Sequence, residues 1–266
     1  MTGANTSSVA PIFKVDCRKG MSRLAEGSIS MIFADPPYNL SHSKLENRVS
    51  HTGGAFFKVR EKWDQYDSDG YEQFTEDWVS SAHRVLADNG AIYVCASHHN
   101  LQVILRCLES SRFSVKNILV WEKPNAMPNL TRRTFTHSVE FVVWAVRGKG
   151  WTFNFRSLRE LNPDRQRDGQ PKMLRDVWRI PVVQGAERLR GLDGRALHPT
   201  QKPEVLVARC VVASTNPGET ILDPFCGSGT TGVVAARHGR RFIGFETDSR
   251  YVKAARLRIS RALRNL

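Results

Sequence analysis

A short, mainly apolar run that ends in Asp35-Pro36-Pro37-Tyr38 constrains the fold of this chain more than any other feature. The run, Ile29–Ala34, has the length and the β-forming composition of a buried parallel strand. Two successive prolines cannot continue a strand ladder, so they lead the backbone out of the sheet as a stiff extended turn. The four residues are therefore expected at the carboxyl end of a strand, which is the edge where open α/β sheets bind ligands.

The turn presents a carboxylate, proline carbonyls and a flat ring in one rigid unit. A planar amine can donate one N–H to Asp35 and the other to the Pro36 carbonyl while its ring stacks on Tyr38. This geometry predicts a site for an aromatic amine. Pro-Pro-Tyr also suits a plain turn, and taken alone the tetrapeptide leaves both interpretations open.

A second strand-end motif lies much later in the chain. Thr220–Asp223 predicts a strand, 224–231 a glycine-rich turn and 232–238 a helix. This order is typical of nucleotide-type sites, because glycines allow close backbone approach and a helix N-terminus faces the ligand. The lysine of a phosphate loop and the full G-x-G-x-x-G spacing are both absent, which disfavours a phosphate loop and a nicotinamide dehydrogenase. A third strand, 241–245, ends at Glu246, an acid suited to the hydroxyls of a ribose.

Together the two motifs resemble those of S-adenosylmethionine-dependent DNA amino-methyltransferases. Asp35-Pro36-Pro37-Tyr38 is similar to the catalytic motif of that family, and 223–230 is similar to its cofactor loop. The catalytic motif comes first, as in the permuted β class. Residues 198–203 before the cofactor loop, and the segment that begins with 121–129, resemble bacterial N6-adenine enzymes of restriction–modification systems. The resemblance covers nearly the whole chain from about Phe13.

The resemblance implies an α/β fold with a doubly wound, mostly parallel seven-stranded sheet of the Rossmann-like methyltransferase type, circularly permuted. It also implies one antiparallel strand and a loop-rich DNA-recognition insertion. Hydrophobic spacing agrees, since it predicts further strands at 12–16, 91–96, 113–122 and 138–146, and helices at 71–86, 100–110, 204–213 and 250–264. We expect a disordered tail at 1–11 and a single methyltransferase domain at 12–266. Within that domain, 39–65 is expected to be a mobile DNA-facing loop, and about 123–200 to contain the target-recognition region.

Transferred residue by residue, the resemblance implies roles for two sets of side chains. Asp35, Pro36, Pro37 and Tyr38 are the predicted catalytic residues, with Asp35 accepting the amine and Tyr38 stacking on a base flipped from the duplex. The predicted cofactor-binding residues are Asp16, Asp35, His198, Lys202, Phe225, Cys226, Gly227, Ser228, Gly229, Thr230 and Glu246. Among these, His198 and Lys202 are candidates for the carboxylate end of S-adenosylmethionine.

Charge supports double-stranded DNA as the partner. The formal net charge is +13, from 39 Lys and Arg against 26 Asp and Glu, and each neutralised phosphate releases counterions. Basic residues are concentrated between 156 and 195, a stretch whose weak periodicity predicts long loops. The predicted nucleic-acid contacts are Asn39, His42, Lys44, Lys123, Asn125, Asn129, Arg132 and Arg133, which carry groups suited to adenine or guanine edges and to phosphates.

Other activities stay open at this stage. An N4-cytosine enzyme needs the same amine chemistry, but Asp35 stands where cytosine enzymes more often have Ser, which favours adenine. A DNA-binding protein with a vestigial fold is opposed by the intact motifs, and a methyltransferase for RNA or for a protein amide is a further alternative. The resemblance also allows a homodimer and a cognate restriction endonuclease as partners.

Several classes of protein are disfavoured. The five cysteines are scattered without a C-x-x-C pair, which argues against a zinc site and a disulfide framework and favours a reducing cytoplasm. We expect no metal. The chain has no apolar run long enough to cross a membrane, and its first residues lack the pattern of a signal peptide.

Overall fold

The computed structural model describes residues 10–39, 67–128, 133–191 and 193–264. The strands are β1 (Ile12–Lys14), β2 (Ile29–Ala34), β3 (Leu86–Ala96), β4 (Ser114–Glu122), β5 (Val139–Val146), β6 (Val177–Arg179), β7 (Thr220–Asp223) and β8 (Arg241–Glu246). The helices are α1 (Cys17–Met21), α2 (Ser68–Val85), α3 (Leu101–Ser110), α4 (Phe155–Glu160), α5 (Glu204–Ser214), α6 (Thr230–Arg237) and α7 (Ser249–Arg264). A 3₁₀ turn lies at Gly185–Glu187.

The strands form one sheet in the order β1-β8-β7-β2-β3-β5-β4-β6. β5 is antiparallel to both of its neighbours, and the other pairs are parallel. The expected mostly parallel sheet with one antiparallel strand is confirmed. The described chain has eight strands where seven were expected, because β6 is added at the edge beside β4. Three residues, of which Trp178 alone is buried, are too few to show a strand period in the sequence.

The sheet order brings the two sequence motifs together. β2 lies directly beside β7, with Met31 opposite Ile221 and Ile32 opposite Leu222. From β2 the chain continues to β3 on one side, and from β7 it continues to β8 on the other side. The border between β2 and β7 is therefore a topological switch point, where a crevice opens at the carboxyl ends of the strands.

Helices cover both faces of the sheet, so the fold is doubly wound as expected. On one face, side chains of α5, α6 and α7 such as Val207, Val233 and Ala255 join the buried core. On the other face, side chains of α1, α2 and α3 such as Met21 and Trp78 do so. Among the described residues no helix has the length and apolar character needed to cross a bilayer.

Element ends differ from the sequence predictions in several places. α2 begins after Asp67, whose carboxylate accepts from the Gly70 N–H at 2.7 Å, and it ends at Val85 because the extended, fully buried Leu86 already belongs to β3. α1 and α4 are too short for a helical period and were not predicted. Residues 1–9 of the expected tail and 40–65 of the expected loop lie outside the described residues, whereas the Pro11 carbonyl accepts from Gly244 of β8 at 3.0 Å.

Candidate active site

A cavity opens at the carboxyl ends of β1, β8, β7 and β2, which are four neighbouring parallel strands. Its empty space, including the open mouth, is about 950 Å³. Its wall contains Asp16 after β1, Asp35 to Tyr38 after β2, Phe225 and Gly227 after β7, and Glu246 at the end of β8. Both motifs therefore contribute to one site, although they are remote in sequence.

The glycine-rich turn is anchored from below by Asp223. This buried carboxylate accepts from the Phe225 N–H at 2.9 Å and from the Thr231 hydroxyl at 2.6 Å, and burial raises its pKa to about 7. Gly227 and Gly229 have φ angles of +47° and +80°, a region that favours glycine. A side chain at Gly229 would come within 2.7 Å of the Ala255 Cβ, so this glycine also lets α6 pack closely on α7.

Glu246 closes the turn from the neighbouring strand. Its Oε2 accepts from the Gly227 N–H at 2.9 Å, and its Oε1 accepts from the N–H groups of Thr247 and Asp248 at 2.7 and 2.8 Å. Burial raises the pKa of Glu246. A carboxylate offers about four acceptor positions, so the group retains capacity for a ligand hydroxyl in the cavity.

Asp35 is held by Lys202. The lysine Nζ lies 2.7 Å from both carboxylate oxygens, and the lysine side chain is 6% exposed. Burial raises the pKa of Asp35, and the ammonium of Lys202 counteracts that rise. Burial disfavours the charge on Lys202, but the carboxylates of Asp35 and Glu140 outweigh this effect and raise its pKa. Lys202, predicted at the carboxylate end of the cofactor, thus lies in an ion pair at the catalytic turn.

Tyr38 is oriented by a residue that sequence reasoning did not select. Its hydroxyl donates to Glu140 Oε2 at 3.1 Å, and the ring lies beneath Lys202 Nζ, 5.2 Å from the ring centroid. The same glutamate pairs with Lys123 at 3.0 Å. Burial opposes the charge of Glu140, but the ammonium groups of Lys202 and Lys123 hold its pKa below the usual range. The signal in the sequence was weak, because Glu140 is an isolated acid in an otherwise apolar strand.

The proline turn is braced from α2 and α3. The Tyr71 hydroxyl donates to the Pro37 carbonyl at 2.9 Å and accepts from the Asn100 side-chain amide at 2.9 Å. Within the described residues none donates to the Pro36 carbonyl. Pro36 therefore retains the acceptor that an amine requires.

The remaining predicted cofactor residues lie at or around the same cavity, and they differ in how far their side chains are already bonded to other residues. Asp16 caps α1 and is paired with Arg18 at 3.1 Å. His198 faces Gly227, and burial together with the Lys202 charge lowers its pKa to about 4, so its ring is neutral at pH 7. The Thr230 hydroxyl accepts from Arg258 at 2.9 Å, whereas Ser228 and Cys226 are buried parts of the turn.

The predicted DNA contacts are distributed less evenly. Lys123 is engaged with Glu140, and the Asn125 amide is bonded to the backbone of Val182, from which it accepts at 2.8 Å. Asn39 follows the catalytic turn with a φ of 55°, and Arg133 is exposed. The other four residues lie outside the described residues: His42, Lys44, Asn129 and Arg132. All these nucleic-acid roles remain predictions.

Comparison with known proteins agrees with this geometry. A family model described as DNA methylase, covering N6 and N4 types, matches residues 29–257. Type II methyltransferase M2.DpnII of Streptococcus pneumoniae is 40% identical over 249 residues, which are 92% of this chain and 87% of the relative. Type II methyltransferase M2.MboI of Moraxella bovis is 36% identical over 250 residues, which are 93% and 86%. The crystal structure of an M1.HpyAVI–SAM complex is similar with a TM-score of 0.66 at 26% identity, covering 93% of this chain and 98% of that chain.

Proposed function

The chain belongs to the DNA methylase family, and on that premise we propose that it moves a methyl group from S-adenosylmethionine to the N6 amine of adenine in duplex DNA. One observation carries the proposal. The glycine-rich turn after β7 and the Asp35-Pro36-Pro37-Tyr38 turn after β2 form adjacent walls of the same cavity. A methyl donor and an acceptor amine bound at these two walls lie next to each other.

The cofactor end of the cavity fits S-adenosylmethionine. Glycines at 227 and 229 keep side chains out of the turn, and Glu246 offers a carboxylate at the end of β8 for ribose hydroxyls. Phe225 and Phe245 give the cavity apolar walls. When bound, S-adenosylmethionine supplies a methyl group that its sulfonium makes reactive.

The base end of the cavity fits a flipped adenine. The free Pro36 carbonyl and the Asp35 carboxylate can each accept one N–H of the exocyclic amine, which directs the nitrogen lone pair towards the methyl donor. Tyr38 is positioned to stack on the base, and stacking of this kind contributes about 1–3 kcal/mol. As the C–N bond forms and the S–C bond breaks, the nitrogen becomes positive, and Asp35 stabilises that charge and accepts the proton directly or through water.

We propose that the region around 123–200 contains the target-recognition region. We further propose that the protein forms a homodimer and that the host has a cognate endonuclease. The names of the two curated relatives, both type II methyltransferases, support the endonuclease. We also propose a cytoplasmic, nucleoid-associated location in a bacterial cell, because the proposed substrate is host DNA.

The test is transfer of labelled methyl groups to duplex DNA, followed by digestion and nucleoside chromatography. We expect the label in N6-methyladenine at one short sequence. Label in N4-methylcytosine would overturn the base assignment and retain the chemistry. Label in RNA or in protein alone would overturn the proposed function.

A further inference from the structure

Four charged side chains meet behind the base end of the cavity and balance one another. Lys202 lies 2.7 Å from both oxygens of Asp35 and 3.9 Å from Oε2 of Glu140. Lys123 lies 3.0 Å from Oε1 of the same glutamate. All four are largely buried, with side chains 6–21% exposed. Two carboxylates and two ammonium groups therefore form a neutral network, and Tyr38 is attached to it through Glu140.

The network as it stands leaves room for the substrate amine but opposes the charge that methyl transfer creates. Asp35 Oδ2 accepts from Lys202 at 2.7 Å, whereas the buried Oδ1, although 2.7 Å from the same ammonium, has no hydrogen-bond partner among the described residues and can accept from the amine. The Lys202 ammonium close to the reacting nitrogen opposes the positive charge that grows on that nitrogen during methyl transfer. This repulsion favours a shift of Lys202 away from Asp35, and Glu140 is the other carboxylate near its ammonium, at 3.9 Å.

We propose that Lys202 and Glu140 are positioning residues for the methyl acceptor. Lys202 keeps Asp35 ionised in the empty site, and its ammonium shifts towards Glu140 when the substrate amine binds. Glu140 is prepared for this transfer because Lys123 and the Tyr38 hydroxyl hold its carboxylate in place. The inference rests on the proposed function, and it assigns Lys202 to the acceptor amine instead of the cofactor carboxylate.

The surroundings of Asp35 support a charge-setting role for Lys202. The groups that face Asp35 are Glu140 of β5, Tyr38 on its own turn, Cys95 of β3 and Asp223 of β7, together with Lys202 itself. His198 beside the network is neutral at pH 7. Lys202 is the cation in contact with Asp35 among the described residues, so its removal leaves burial and like charges to raise the pKa of Asp35.

The principal variant is Lys202→Met, measured in the full-length protein by single-turnover methylation of duplex DNA across pH 6–9. Without the ammonium a smaller fraction of Asp35 is ionised at pH 7, so we expect the rate to fall by about tenfold or more and to recover as the pH rises. Lys202→Arg should restore much of the rate at pH 7. Lys149→Met is the matched control, because Lys149 is exposed just after the end of β5 that lies opposite the cavity.

Glu140→Gln tests the second half of the proposal, which is the shift of the Lys202 ammonium towards Glu140. The amide retains an acceptor for the Tyr38 hydroxyl but no longer attracts the displaced ammonium. We expect a higher KM for DNA with no shift of the pH profile towards higher pH, because loss of a like charge does not raise the pKa of Asp35. An upward shift equal to that of Lys202→Met would contradict the assigned role of Glu140.

Cofactor affinity distinguishes this proposal from the sequence-based assignment of Lys202. Titration calorimetry with S-adenosylmethionine should give the same affinity for Asp35→Asn and for Asp35→Asn/Lys202→Met, a pair in which the double variant leaves no unpaired buried charge. A tenfold loss of affinity on adding Lys202→Met, or an unchanged pH profile in Lys202→Met, would overturn the proposal. Wild-type protein that methylates no DNA adenine would instead overturn the proposed function.

Discussion

Glu246 has two duties at the scale of the single residue. It orders the backbone around it by accepting from the N–H groups of Gly227, Thr247 and Asp248, and the same carboxylate faces the cavity. The proposed ribose contact and the structural contacts therefore depend on one side chain. Its removal affects both the ligand and the turn that receives it.

We expect Glu246→Ala to weaken binding of S-adenosylmethionine by about 10- to 150-fold, since hydrogen bonds to a charged group contribute roughly 1.5–3 kcal/mol. Titration calorimetry measures this change. Glu160→Ala, which removes an exposed acid at the end of α4, is the control and should bind the cofactor as the wild type does. Unaltered affinity in Glu246→Ala would remove this residue from the cofactor site.

At the scale of the element, α2 and the N-terminus of α3 secure the catalytic turn. Tyr71 of α2 links the Pro37 carbonyl to Asn100, and all three groups are buried. A proline turn has few N–H groups of its own, so an external donor has to satisfy its carbonyl. The position of Asp35 and Tyr38 thus depends on helices outside the motif.

Tyr71→Phe should destabilise the fold by about 1–3 kcal/mol, because it leaves buried polar groups without a partner. It should also lower the single-turnover rate, because the catalytic turn loses its brace. Tyr93→Phe is the matched control: it breaks a buried hydroxyl contact with Ser214 at 2.8 Å and should reduce stability with little effect on the rate. Equal rates in the two variants would show that the brace serves stability alone.

The contact between α6 and α7 depends on Gly229, where the φ of +80° and the nearby Ala255 both exclude a side chain. Gly239 has a similar φ of +70°, but a Cβ there would meet its nearest neighbour at 4.0 Å. Gly239→Ala should therefore cost about 1–2 kcal/mol from the left-handed backbone alone. Gly229→Ala should cost about 1–3 kcal/mol more because of overpacking, as measured by urea unfolding. Similar losses of stability in the two variants would mean that α6 and α7 can move apart at Gly229 without a cost in free energy.

At the scale of the whole molecule, the formal net charge is +13, and one basic segment of the chain leads directly to the cavity residues His198 and Lys202. The basic segment leading to His198 and Lys202 is fixed by Gln201, which accepts from the Leu189 N–H at 3.0 Å and donates to the Glu187 carbonyl at 2.8 Å. Exposed arginines of this segment, such as Arg190, therefore lie on a loop that is joined to the site.

The logarithm of the affinity for duplex DNA should fall linearly as the logarithm of the salt concentration rises. Arg190→Gln should reduce the magnitude of the slope by about 1 and weaken binding to specific and nonspecific duplexes alike, as expected for a phosphate contact. Lys149 lies just after the end of β5 that is opposite the cavity, so Lys149→Gln should leave the slope unchanged. Fluorescence anisotropy over a range of salt concentrations measures both. An unaltered slope in Arg190→Gln would exclude this residue from the DNA interface.

Local sequence determined much of this protein. Short apolar runs that lead to Asp35, Asp223 and Glu246 identified three of the four strands that end at the cavity, because a strand and the turn after it are encoded by neighbouring residues. The family resemblance added the antiparallel strand. The short elements β6, α1 and α4 escaped prediction because three to six residues do not establish a period.

Only the tertiary structure decided which charged side chains meet. Lys202 bonds Asp35 across 167 positions of sequence, and Tyr38 bonds Glu140 across 102. These pairs follow from the sheet order, which places β2 between β7 and β3 and β5 next to β3. Local periodicity shows which residues form a strand and which face they occupy, but it does not encode the neighbouring strand, so the sequence predicted the catalytic motif without the ion network that supports it.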